Sequence, residues 1–309
     1  MASGLAVGVP SGVLPFVFAP DGVVFGLSPW AFAVFLGGWV GLQLAERLAR
    51  VRGLDLRLFH AAVFWVVAAG LVLGHVLDEG FYHPELLVHP SSLLLLNQGQ
   101  SSCGGFAGAV AGGLLWKYVD VRRNGFLPTF ARRPRPLALL PFAEIMMATF
   151  PVTWVFARLG CALVHDHPGR LAAAGSWLAL AWPTGTDDGV VHALGPLRYV
   201  YGSTSRYDLG LVECLLTIPL AVGLALTWRR PRPLGFYTAV VCLTYAPVRF
   251  ALDYLRATDV PEADRRYASL TFAQWFCVAL FAAGIAALAR LRSGAAASRD
   301  PLGAGDPSS

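Results

Sequence analysis

The sequence predicts an all-α integral membrane protein of about seven transmembrane helices, with a small outer cap between the fourth and the fifth. Three observations carry that expectation. Of 309 residues, 56% are hydrophobic and only 14% charged, more apolar surface than one soluble core hides. Seven apolar runs are long enough to cross roughly 30 Å of hydrocarbon as helices. Lys and Arg are abundant in alternate linkers, the pattern that sets orientation in a bilayer.

The runs lie near 29–48, 59–77, 102–119, 136–160, 209–228, 234–254 and 271–291. Arg47, Arg50, Arg52 and Arg57 follow the first, and Lys117, Arg122, Arg123, Arg132, Arg133 and Arg135 follow the third. Arg229, Arg230 and Arg232 follow the fifth, and Arg290, Arg292 and Arg299 end or follow the seventh. These are 16 of the 24 basic residues, so that side is expected to be cytoplasmic, with the N-terminus outside and the C-terminus inside. A net charge of +5 carried in such clusters reads as topology and not as a nucleic-acid surface.

The remaining segments read as follows. Residues 1–28 hold no Lys or Arg, lack the basic start of a secretory leader, and are expected to stay as an outer N-terminal segment. Residues 78–101 mix His, Pro and the short run Leu93 to Leu96, which suits a re-entrant or surface element. Residues 161–208 form the outer cap, with turn signals at Pro168-Gly169, Gly195-Pro196 and Gly202-Ser203 and room for short strands or helices. The tail 292–309 is Gly, Ala, Ser and Pro and is expected to be disordered and cytoplasmic. Cys103, Cys161, Cys214, Cys242 and Cys277 fall in or beside apolar runs without C-x-x-C spacing, which argues against a disulfide framework or zinc knuckle.

Charges at membrane depth are expensive and mark candidate sites. Arg158, Glu213, Arg249, Asp253 and Arg256 form such a set, the last three at i, i+4 and i+7. Two readings stand beside each other: a structural ion-pair network, or arginines converging on an anionic phospholipid headgroup. The run His165-Asp166-His167 offers a metal or acid-base pair. It has no third ligand in sequence, so a polar surface loop is favoured and no metal is expected. Ser101-Ser102-Cys103-Gly104-Gly105 opens the third run. Its glycines, with Gly108, Gly112 and Gly113, suit close helix packing, and its backbone N–H groups suit an anion.

Ser101-Ser102-Cys103-Gly104-Gly105-Phe106-Ala107-Gly108 resembles the Ser-Phe-His-Gly-Gly-Leu-Ile-Gly segment of the bacterial prolipoprotein diacylglyceryl transferases. Arg158-Leu159-Gly160, followed by Gly169-Arg170, resembles the family's Gly-Arg-Ile-Gly-Asn-Phe-Ile-Asn-Gly-Glu, which continues to Gly-Arg. Arg206 to Glu213 is similar in length and ends to Arg-His-Pro-Ser-Gln-Leu-Tyr-Glu. Tyr245, Arg249, Phe250, Asp253, Arg256 and Asp259 resemble Tyr-Gly-x-x-Arg-Phe-x-x-Glu-x-x-Arg-x-x-Asp, and Thr271 to Gln274 resembles Ser-Met-Gly-Gln. The chain departs from the pattern at Cys103, which replaces a histidine important for activity, and at Cys161 and Val164, which replace two asparagines. It departs again at Trp30, for a tyrosine, and at Val72, for an arginine.

The resemblance implies a bacterial inner-membrane enzyme that moves a diacylglyceryl group from phosphatidylglycerol to the lipobox cysteine of a prolipoprotein, releasing glycerol phosphate. It implies no cofactor. Such a reaction needs a thiolate, a neutralised phosphate leaving group and a carbon held in line. Arg158 and Arg249 are assigned to the leaving group, oriented by Asp253 and Glu213, with Cys103 as the third catalytic candidate. Gly104, Gly105, Gly169, Arg206, Glu213, Asp253 and Arg256 are the substrate-binding candidates, and His165 and His167 the candidate bases. Two other functions stay open: a non-catalytic relative that binds or senses anionic lipid, and another lipid transferase with Cys103 as nucleophile.

Overall fold

The computed structural model describes residues 14–20, 26–81, 99–124, 127–173, 175–183, 190–260 and 263–297. Seven long helices occupy the predicted runs: α1 Pro29–Val51, α2 Leu56–Phe81, α3 Ser102–Tyr118, α4 Leu139–Val164, α5 Leu209–Thr227, α6 Phe236–Leu252 and α7 Phe272–Ala297. Among the described residues, α2, α4, α5 and α7 are long and apolar enough to cross a membrane. α3 and α6 have 17 residues each, and α1 carries Glu46, Arg47 and Arg50 in its last turns.

The all-α expectation is corrected by ten strands among the described residues. They are β1 Leu14–Phe18, β2 Val119–Asn124, β3 Leu127–Arg132, β4 Pro168–Leu171 and β5 Ala179–Trp182. The chain continues with β6 His192–Leu194, β7 Leu197–Val200, β8 Thr204–Asp208, β9 Arg266–Tyr267 and β10 Leu270–Thr271. The tail is corrected as well, since α7 continues through residues 292–297, and residues 298–309 lie outside the described ones. Of the predicted element at 78–101, residues 78–81 end α2 and 82–98, with His83, His89 and Leu93 to Leu96, lie outside the described residues.

The chain divides into two compact units. The first comprises Met1–Leu42, Phe150–Gly223 and Val248–Ala263. Its centre is a six-stranded sheet in the order β4-β8-β5-β1-β7-β6. Five strands come from the 161–208 segment, which turn-rich composition anticipated. The sixth does not: β1, from the N-terminal segment, inserts parallel to β5 and antiparallel to β7. Without β1 the sheet would split into two fragments with open edges, so residues 14–18 supply the hydrogen bonds that join them. Ala179, Leu180 and Ala181 of β5 are buried in this sheet.

The second unit comprises Gln43–Thr149, Leu224–Pro247 and Asp264–Ser309. Its main contact is the α2–α3 pair. Gly108 and Gly112, four residues apart on α3, lie against the backbone carbonyls of Ala69 and Trp65 on α2, where an added Cβ would overlap those oxygens. Backbone cannot yield as a flexible side chain does. Gly112→Val is therefore expected to destabilise by the upper end of the overpacking range, about 3 kcal/mol, whereas Gly80→Ala, whose Cβ meets nothing within 4 Å, should not. Thermal unfolding in detergent checks this, and an unshifted midpoint for Gly112→Val would sink it.

Two other details fix helix ends in this unit. Glu144, buried in α4, accepts from the N–H of Tyr237 and Thr238 at 2.9 and 3.0 Å and from the Thr238 hydroxyl, capping the start of α6. Thr271 and Gln274 cap α7 reciprocally: the Thr271 hydroxyl accepts from the Gln274 N–H at 3.1 Å, and Gln274 Oε1 accepts from the Thr271 N–H at 3.0 Å.

Candidate functional site

The charged residues gather in the first unit. On α4, Trp154, Arg158 and Cys161 recur at i, i+4 and i+7 and so share a face. Arg158 Nε lies 3.1 Å from Glu213 Oε1, one turn into α5. Glu213 Oε2 lies 3.5 Å from Arg249 Nε near the end of α6. Arg249 Nη1 donates to Asp253 Oδ1 at 2.6 Å, and Arg256 Nε reaches the same oxygen at 3.3 Å. Three guanidinium groups thus alternate with two carboxylates, and Arg158, Glu213, Arg249 and Asp253 are all buried. Each carboxylate bridges two arginines, which offsets the cost of placing ions away from water. The five groups sum to one excess positive charge.

Trp154 completes the arrangement. Its Nε1–H donates to Glu213 Oε1 at 3.0 Å, and its ring lies 4.5 Å from the Arg158 guanidinium carbon, a cation–π contact. Sequence reasoning passed over Trp154, although its position one turn before Arg158 was a usable signal.

Arg206 belongs elsewhere in the same unit. Its guanidinium makes a two-pronged pair with Asp259 at 3.0 and 2.8 Å and donates to the Gly169 carbonyl at 2.8 Å. That pairing holds the Asp259 carboxyl below the usual carboxylate range. Gly169 pairs with Arg256 in an isolated bridge, and a Cβ there would lie 2.8 Å from Tyr207 Cβ, 2.9 Å from the Tyr207 carbonyl and 3.2 Å from that of Leu255. Arg206 and Gly169 therefore fasten β4 and β8 to the segment after α6.

The surface-loop reading of His165-Asp166-His167 is corrected at His165 alone, since Asp166 is exposed. The His165 side chain is 7% exposed, on a backbone with a positive φ of 53°. Its Nδ1 lies 2.5 Å from Asp208 Oδ2 and its Nε2 lies 2.8 Å from the Val17 carbonyl, while its ring stacks on Phe16 at 3.6 Å. Both ring nitrogens face oxygen acceptors, so His165 ties β1 to the start of α5. His167 instead contacts Arg158 Nη1 through Nε2 at 3.1 Å and Asp166 Oδ1 through Nδ1 at 2.5 Å.

A third group absent from the local sequence pattern is also present. Cys161 Sγ, a carboxylate oxygen of Asp166 and a ring nitrogen of His167 lie within 4.8 Å of one another. The set is already satisfied internally, by the Asp166–His167 bond and by Arg158 Nη1, which reaches Cys161 Sγ at 3.6 Å. A cavity of about 460 Å³ opens beside this cluster, lined by His165, Asp166, Trp182, Thr204 and Arg206 among others. A second, wholly apolar cleft of about 200 Å³ lies between α1 and the end of α4, against Phe32, Leu36, Phe156 and Leu163.

Cys103, Gly104 and Gly105 lie in the other unit, in the first turn of α3. Cys103 is buried at 5% exposure. A Cβ on Gly104 would sit 2.5 Å from the Leu73 carbonyl of α2, so close packing explains that glycine, while a Cβ on Gly105 would meet nothing within 4 Å. The Gly104 N–H is taken by the N-cap Ser101 Oγ at 3.3 Å, which corrects its reading as an open anion donor. All five cysteines are free thiols.

Four apolar membrane-length helices and a buried guanidinium–carboxylate network define a membrane protein with a charged interior. A family model described as prolipoprotein diacylglyceryl transferase matches residues 23–290. The phosphatidylglycerol–prolipoprotein diacylglyceryl transferase of Thermus thermophilus is 29% identical over 233 residues, covering 72% of this chain and 75% of that one. Its counterpart from Chromohalobacter salexigens is 28% identical over 256 residues, 82% of each chain. The one from Yersinia enterocolitica is 27% identical over 259 residues, covering 77% of this chain and 82% of that one. The chain belongs to the prolipoprotein diacylglyceryl transferase family.

Proposed function

We propose that this chain transfers a diacylglyceryl group from phosphatidylglycerol to the lipobox cysteine thiol of a prolipoprotein and releases glycerol phosphate. Family membership supports the reaction. The single structural observation that carries it is the cluster of buried Arg158, Arg249, Glu213 and Asp253 with Arg256 at its edge, whose one excess positive charge suits a phosphodiester. In this reading the acceptor thiolate attacks the glyceryl carbon, a C–S bond forms, and the C–O bond to phosphate breaks. Arg158 and Arg249 neutralise the charge that grows on the leaving phosphate. Glu213 and Asp253 hold them in place, and Arg256, Arg206 and Gly169 shape the headgroup side. The apolar cleft along α1 and α4 suits an acyl chain.

The proposed setting is the bacterial cytoplasmic membrane, with all seven helices crossing, residues 1–28 and the sheet-bearing 161–208 segment outside, and the 292–309 tail inside. The 16 to 8 division of basic residues supports that orientation. The partners are anionic lipid and the lipobox segment of a prolipoprotein, with no nucleic acid.

The test is transfer itself: purified protein, phosphatidylglycerol vesicles and a lipobox peptide, read as diacylglyceryl mass gain on the peptide and as glycerol phosphate release. Restoration of lipoprotein lipidation in cells depleted of their own transferase is the companion test. Well-expressed protein that fails both would sink the transferase reading. A second reading, binding of anionic lipid without transfer, is favoured by Cys103 and Cys161 at positions where the family carries histidine and asparagine. It predicts phosphatidylglycerol binding with no mass gain. Cys103→Ala is expected to slow transfer by roughly tenfold or less, since a buried thiol is a small apolar group and a weak donor. Complete loss, with a diacylglyceryl adduct trapped on Cys103 of the parent protein, would reassign it as a covalent nucleophile.

A further inference from the structure

The acceptor thiol must lose a proton, and the family's histidine position holds Cys103. A replacement base is legible in the hydrogen bonds around Arg158. A guanidinium donates and never accepts, so His167 Nε2, 3.1 Å from Arg158 Nη1, presents a lone pair. The ring proton is then on Nδ1, which donates to Asp166 Oδ1 at 2.5 Å. Asp166 therefore fixes the neutral tautomer whose basic nitrogen faces the guanidinium assigned to the phosphate. Both nitrogens of His165 face oxygens instead.

We propose that His167, oriented by Asp166, is the general base that takes the proton of the acceptor thiol. The inference rests on the transferase reading. Arg158 covers Nε2 until a lipid phosphate draws the guanidinium onto its own oxygens. The thiol S–H proton then passes to Nε2 and the sulfur lone pair forms the C–S bond. The electrons of the broken C–O bond leave on glycerol phosphate, beside Arg158 and Arg249, and the imidazolium returns its proton to water.

The charged and titratable groups around His167 are Arg158 and Cys161 from α4, its neighbour Asp166, and Arg256 from the segment after α6. Desolvation first, and then the Arg158 and Arg256 charges, push the imidazole below its ordinary value of 6.5, while Asp166 pulls the other way. With the value lowered, the acid limb of the rate is expected to lie below that of an ordinary histidine.

The experiment follows rate against pH for full-length protein in phosphatidylglycerol vesicles with a lipobox peptide. His167→Gln is expected to lose about 10²- to 10⁴-fold at pH 7, with the KM for phosphatidylglycerol unchanged. The loss should shrink as pH rises past about 8.5, where the peptide thiol ionises without help. The acid limb of the parent profile should vanish with it, and Asp166→Asn should show a smaller loss of the same pH shape. A His167→Gln rate within threefold of the parent would overturn the proposal. So would a loss of equal size at pH 7 and pH 9, which marks a structural role. If the parent protein transfers nothing, the transferase reading falls and this inference with it; if only His167→Gln behaves like the parent, the base assignment alone falls.

Discussion

Replacing Arg249 by lysine is expected to slow lipid transfer by about 10²- to 10³-fold, the cost of removing one preorganised charge-stabilising donor. The charge would remain. What lysine cannot reproduce is the fork, which reaches Asp253 Oδ1 at 2.6 Å through Nη1 and Glu213 Oε2 at 3.5 Å through Nε. A single ammonium cannot span both carboxylates and still present a flat face to phosphate. The measurement is peptide lipidation with KM and kcat separated. A rate within tenfold of the parent would remove Arg249 from the leaving-group side of the reaction.

Glu213→Ala should have the largest effect on stability. It strips the shared carboxylate from Arg158 and Arg249, which are 2% and 6% exposed, and the acceptor from the Trp154 indole. Uncompensated buried charge costs about 3–5 kcal/mol, which for a chain of this size lowers the unfolding midpoint by roughly 10 °C. Glu213→Gln keeps an acceptor without the charge and is expected to fall between parent and alanine. An alanine variant that melts with the parent would mean that the carboxylate does not bridge the two arginines.

The two substitutions separate function from scaffold. Arg249→Lys changes chemistry while keeping the charge count, and Glu213→Ala changes the charge count at the centre of the network. Glu144 is the instructive contrast. It is about as buried as Glu213, yet its oxygens serve the first N–H groups of α6 and not a pair of arginines. Buried charge alone did not distinguish a candidate site from a helix cap, and the partner did.

Sequence by itself determined the seven apolar runs, the placement of basic clusters, and the small-residue stripe Gly104, Gly108 and Gly112, because hydrophobicity and the helical repeat are local properties. It also determined that Arg249, Asp253 and Arg256 share a face, since i, i+4 and i+7 follow from helix geometry and the first turn beyond it. The tertiary structure decided the rest. It inserted β1 between strands more than 160 residues distant, committed Arg206 to Asp259, and gave His165 to Asp208 while leaving His167 to Arg158. Two histidines two residues apart look alike in a local pattern. Which one meets a carbonyl and which a guanidinium depends on long-range pairing that only the folded chain supplies, and that choice determines which of them faces a donor.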